Sequence, residues 1–138
     1  MISRKYIEEF IKDNSFKGRQ KSFNFDKEGL QQYINWAFCN DFMLICESGG
    51  KIASTLITYP IGVKPKSIKD ILPHDNPVKS NHIVVMDFIA NDKQSRQEIS
   101  KEFMKKYPNW QTLNKWAIRN GKLTELSNKH IEFMGGAI

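Results

Sequence analysis

Cysteine is scarce in this chain: Cys39 and Cys46 are the two among 138 residues. Two cannot form a disulfide framework, and their spacing fits none of the common zinc patterns, so free thiols are expected. Long apolar runs are missing too. Nothing approaches the roughly 18 to 20 residues of a membrane span, and residues 1–10 mix charged and apolar side chains instead of forming a secretory apolar segment. A cytoplasmic protein with no membrane span is the expectation. Proline is rare outside one stretch, since four of the five prolines fall in residues 60–80. Internal repeats and low-complexity tracts are also lacking.

What is present describes a folded domain. Hydrophobic residues make up 40% and charged residues 26%, which is enough apolar surface to bury a core in one domain, residues 1–138. The net charge of +6 is unevenly spread: residues 1–21 carry +3, residues 22–92 carry −2 and residues 93–138 carry +5. A basic surplus of this kind attracts polyanions, whether nucleic acid, an acidic protein or an anionic cofactor. It also serves as an ordinary solvated surface.

Periodicity gives the element order. Ser3 is a candidate N-cap with Ile2 and Ile7 as a staple, and Ile7, Phe10 and Ile11 make a helical stripe ending near Asp13. After a polar loop over residues 14–22, Asp26 caps a second helix. Its apolar positions are Leu30, Tyr33, Ile34, Ala37 and Phe38, and it ends near Cys39. Residues 42–47 and 51–59 flank Gly49-Gly50 and predict a β-hairpin. Residues 60–80 read as a long irregular connection with a short helical turn at 68–72, bordering a cleft. Residues 82–89 form an apolar run typical of a central strand. Ser95 and Glu98 then suggest a capping box for a helix closed by Pro108, with Ile99, Phe103 and Tyr107 on one face and Lys101, Lys105 and Lys106 on another. A strand over 115–119, a turn at Asn120-Gly121 and a short helix over 126–134 complete the chain.

This order, helix, helix, hairpin, strand, helix, strand and short helix, resembles the GNAT acetyltransferase superfamily. Within it the chain is most similar to the RTX toxin-activating lysine acyltransferases. The segments that carry the resemblance are FMLICESGGKIAST (42–55), VVMDFIAND (84–92), FMKKYP (103–108), AIRNGKLTE (117–125) and FMGG (133–136). It implies an α+β fold, a single GNAT-like domain with a mixed central sheet flanked by helices. It further implies an acyltransferase that moves an acyl group from acyl carrier protein or CoA to a protein lysine amine, with no tightly bound cofactor. The family's strand aspartate falls on Asp87. Its second catalytic residue is an N-terminal histidine, and here no histidine precedes His74, so His74 or His82 takes that role or the chemistry is lost. The turn 91–96, where GNAT enzymes hold the CoA pyrophosphate on a glycine-bearing loop, has no glycine. Lys93, Ser95 and Arg96 are the donor-binding candidates, suited to an acidic carrier or its phosphate.

Each candidate has a plainer reading. Asp87 in an apolar strand must be paired, hydrogen-bonded or protonated, as a catalytic group or as a structural acceptor of backbone N–H bonds. His82 lies five residues before it, on the opposite face of a regular strand, so a direct dyad requires a bulge. His74 is a loop residue and His130 lies on the last helix. Trp36, Trp110 and Trp116 read as core. Nucleic-acid binding would instead require basic and aromatic residues interleaved on one exposed face. The competing class is a non-catalytic GNAT-like accessory protein, encoded by a phage or plasmid, that binds another macromolecule through its basic surface.

Overall fold

The computed structural model describes residues 4–15, 27–61, 65, 81–119 and 122–136. The elements run α1 (Arg4–Ser15), α2 (Lys27–Cys39), β1 (Met43–Ser48), β2 (Lys51–Ile61), β3 (His82–Ala90), α3 (Lys93–Lys106), β4 (Asn114–Arg119), β5 (Lys122–Leu126) and α4 (Asn128–Met134). The strands form one mixed sheet in the order β1-β2-β3-β4-β5. Pairing is antiparallel except between β3 and β4, which are parallel and joined through α3. The expected α+β class and helix-flanked mixed sheet are present. Ser3, Ile2, Asp26, the helical turn at 68–72 and the turn at Asn120-Gly121 lie outside the described residues.

Side chains alternate along the strands, so each face of the sheet has its own core. On one face Ile7 and Ile11 of α1 and Tyr33, Ile34 and Ala37 of α2 meet Ile57, Tyr59, Val84, Ile89 and Trp116. On the other, Ile99 and Phe103 of α3 and Ile131 of α4 meet Leu56, Ile83, Ala117 and Leu126. Ile57, Val84 and Ile99 are fully buried; each such side chain stabilises the fold by about 1.5–3 kcal/mol relative to exposure.

Local chemistry fixes the junctions. Gly49 and Gly50 have φ of 61° and 79°, the left-handed pair that a two-residue hairpin turn needs. Asp41 (φ 59°) ends α2, with the Phe42 N–H donating to the Ala37 carbonyl at 2.8 Å in a Schellman-type closure. Lys106 Nζ donates to the Asp41 carbonyl, which ties the ends of α2 and α3 together.

Three sequence expectations are corrected. Pro60 and Ile61 belong to β2, not to the connection that follows. The Thr58 N–H donates to the Phe42 carbonyl on the β1 side, and Pro60, two residues on, lies past the last β1 pair at Ile57. Its missing N–H therefore costs no ladder bond. Residues 122–126 form β5, a strand not expected from the sequence, so Leu126 ends a strand instead of opening the last helix, which starts at Asn128 under a Ser127 cap. Finally, α3 starts three residues before the expected Ser95: its N-cap is Asp92, whose carboxylate accepts the Ser95 N–H at 2.8 Å.

Candidate functional site

Two neighbouring strands part company in the middle of the sheet. β3 and β4 pair only from His82↔Asn114 to Val85↔Ala117. Beyond that point β3 continues to Ala90 on β2, while β4 continues to Arg119 on β5. Among the described residues, the β4-facing edge of residues 86–90 therefore has no strand partner. Backbone N–H and C=O groups require hydrogen-bond partners, so this edge is set up to pair with something extended.

A β-bulge sits at the parting. On β2, Ile57 opposes Asp87 and the next residue, Thr58, opposes Val85, which makes Met86 the extra residue of β3. A bulge bends its strand and increases its twist, and so steers the C-terminal half of β3 away from β4. It also resets the alternation of side chains. Ile83, Val85 and Phe88 belong to the α3/α4 core, whereas Val84, Met86 and Ile89 belong to the α1/α2 core. Position 87, opposite Ile57, thereby falls on the α1/α2 face.

The dyad expectation can now be judged by geometry. Trp116 Nε1 lies 3.5 Å from His82 Nδ1, and Trp116 belongs to the α1/α2 core, so positions 82 and 87 share a face as a bulge would require. They remain separated along β3 by on the order of 15 Å, too far for a direct hydrogen bond between the two side chains. His82 lies at the closed end, where β3 still pairs with β4. The Asp87 carboxylate is outside the described side chains, and His74 is outside the described residues.

At the far end of β3, Asn91 and Asp92 lead into α3. The Asp92 carboxyl is held below the usual carboxylate range by the Ser95 backbone N–H and, less strongly, by the Ser95 hydroxyl. A negative charge thus already occupies this helix N-terminus, and a donor phosphate arriving there would meet it as a like charge. Ser95 is buried and Lys93 exposed. Arg96 lies with its guanidinium 5.1 Å from the centre of the Phe133 ring of α4. The structure therefore does not bring Lys93, Ser95 and Arg96 together as a ready phosphate cradle. Compared with known proteins, the chain matches no family model, no curated protein and no solved structure.

The remaining candidates are structural. Trp116 is buried, and Trp36 stacks with Tyr33 and meets Phe42 and Tyr59 edge-on or tilted, so these rings serve the core rather than an exposed base-stacking face. Burial pushes the Cys46 thiol up, with Glu102 and Glu98 adding to the rise and a Ser54 hydrogen bond opposing it, which disfavours the thiolate. Among the described residues, no group of His, Cys, Asp and Glu could hold a metal ion.

Sequence reasoning missed Lys115. It is 2% exposed, and its ammonium donates to the Trp110 carbonyl (2.6 Å), the Leu113 carbonyl (2.8 Å) and Asn128 Oδ1 (2.7 Å). Its three protons are matched by three acceptors, which pin β4 to the preceding loop and to α4. The available signal was a lysine at an inward strand position beside Trp116 and Ala117. Asp92 had a clearer one, an Asp three residues ahead of a serine at the start of a helical stripe.

Proposed function

We propose that this protein is a GNAT-like acyltransferase that carries an acyl group from a carrier thioester to a protein lysine amine. The parting of β3 from β4 at the Met86 bulge carries this reading. An acyl-pantetheine arm is extended and bears amides, so it can pair as a strand would with the edge of residues 86–90, which has no strand partner among the described residues. The amine then attacks the thioester carbonyl, an amide forms as the C–S bond breaks, and the proton the amine gives up is relayed by a base to the leaving thiolate, which departs as the thiol. Asp87 is the residue assigned to accept that proton, because it lies in the opened half of β3; His82 lies in the closed half.

The charge at the start of α3 favours acyl carrier protein over free CoA as donor. Asp92 stands where a CoA pyrophosphate would be held, whereas a carrier presents one phosphate and an acidic protein surface for an exposed basic residue such as Lys93. The same observation supports a second reading, a non-catalytic GNAT-like accessory protein that keeps the fold for binding. Incubation with labelled acyl carrier protein and with labelled acyl-CoA separates the two. The enzyme reading expects transfer to protein amines from the carrier, and a loss of about 100-fold or more in Asp87→Asn. No transfer from either donor contradicts it.

A further inference from the structure

We propose that two copies of this chain pair through the outer edge of β1, extending the sheet across a two-fold axis and setting their α3 helices side by side. β1 is the end strand of the described sheet, and the two edges are unlike. β5, at the opposite edge, carries Lys122 and Glu125, charges that discourage edge pairing. β1 presents four uncharged residues in succession, Met43, Leu44, Ile45 and Cys46, and its one charge, Glu47, comes after them, near its end. The irregularity between Cys46 and Glu47 confines its regular stretch to those four residues.

The occupant is identified by charge. Between β1 and α3 lies a groove of about 480 Å³, lined by Leu44, Ile45, Cys46 and Glu47 and by Glu98, Lys101, Glu102 and Lys105. Along α3 these four charges read acidic, basic, acidic, basic at positions i, i+3, i+4 and i+7, one flank of the helix. A two-fold axis perpendicular to the sheet makes β1 antiparallel to its copy and does the same for α3. Glu98 then faces Lys105 of the partner, and Lys101 faces the partner's Glu102, so every charge on this flank meets its opposite. The spans agree as well: four strand residues and seven helical steps each cover roughly 10 Å.

The separation suits helix packing. α3 rests on β1 and β2, and copies of β1 one strand spacing apart bring the two helix axes to roughly 10 Å, near the usual interhelical distance. The existing partners of these side chains give way easily. Lys105 to Glu102 (3.3 Å) and Gln94 to Glu98 (3.2 Å) are exposed contacts within one helix.

Sedimentation velocity across micromolar to near-millimolar protein tests the pairing. The wild-type chain is expected to show a concentration-dependent dimer. K101E/K105E, which makes the flank wholly acidic, and E98K/E102K, which makes it wholly basic, are each expected to weaken the dimer by about tenfold or more. An equimolar mixture of the two is expected to restore it, which a misfolded variant would not do. A wild-type monomer at every concentration overturns the proposal. So does a dimer that both variants leave unchanged, or a mixture that fails to re-pair.

Discussion

The two halves of β3 belong to one strand and differ in nearly everything that matters. His82 to Val85 is held on both sides, by β2 and by β4, whereas residues 86–90 pair, among the described residues, only with β2. The first half is a stable seam; the second supplies an edge with no strand partner among the described residues, next to the one acidic residue of the strand. One extra residue, Met86, marks the border. A sheet can thus acquire a binding edge in its interior without losing its core, because the bulge leaves Ile89 and Phe88 packed on opposite faces.

Truncation should break the two halves unequally. Ile83→Ala in the held half removes a side chain 2% exposed from the core it shares with Ile99 and Phe103 and is expected to cost about 2–5 kcal/mol in denaturant unfolding. Phe88→Ala in the open half, where the ring is only partly buried, is expected to cost less than about 3 kcal/mol. Equal losses would erase the distinction. Asp87→Asn should do the reverse, lowering acyl transfer about 100-fold or more while leaving the unfolding midpoint near that of the wild type.

A smaller effect sharpens the picture of the held half. Lys115, opposite Ile83, anchors β4 through its three hydrogen bonds, and Lys115→Met keeps the stem while removing the donors. A destabilisation of about 1–3 kcal/mol is expected, read from chemical unfolding. The least effect falls at the far end of the open half. The lowered Asp92 carboxyl contributes stability that is complete above its ordinary value of 3.8 and lost as pH falls through the lowered one. Asp92→Ala should therefore lower the thermal midpoint at neutral pH and flatten its decline on acidification. An unchanged acid slope would show that the cap is not coupled to folding.

Much of this fold was legible where local signals were strong. Gly49-Gly50 located the hairpin, the apolar run of residues 82–89 located β3, and the stripe Tyr33, Ile34 and Ala37 located α2. β5 was hidden because it is five residues long with only Leu123 and Leu126 apolar, three apart and so out of step with strand alternation; in the strand they serve opposite cores. The site was less legible than the fold. Asp87 stood out as a carboxylate in an apolar strand, but the parting of β3 and β4 depends on where a distant strand stops pairing, and the Met86 bulge appears only in register with β2. Ser95 drew the helix start to the wrong residue because it too is a good cap, and Asp92, three residues earlier, holds its N–H.

The most direct measurement follows the backbone amides of β3 while an acyl carrier protein bearing its acyl-pantetheine arm is titrated into isotopically labelled protein. If the opened half receives the donor, amide shifts will concentrate at residues 86–90 and 118–119 and leave His82 to Val85 nearly still. Shifts confined to other surfaces, or none at saturating carrier, would contradict the assignment of this edge as the donor site.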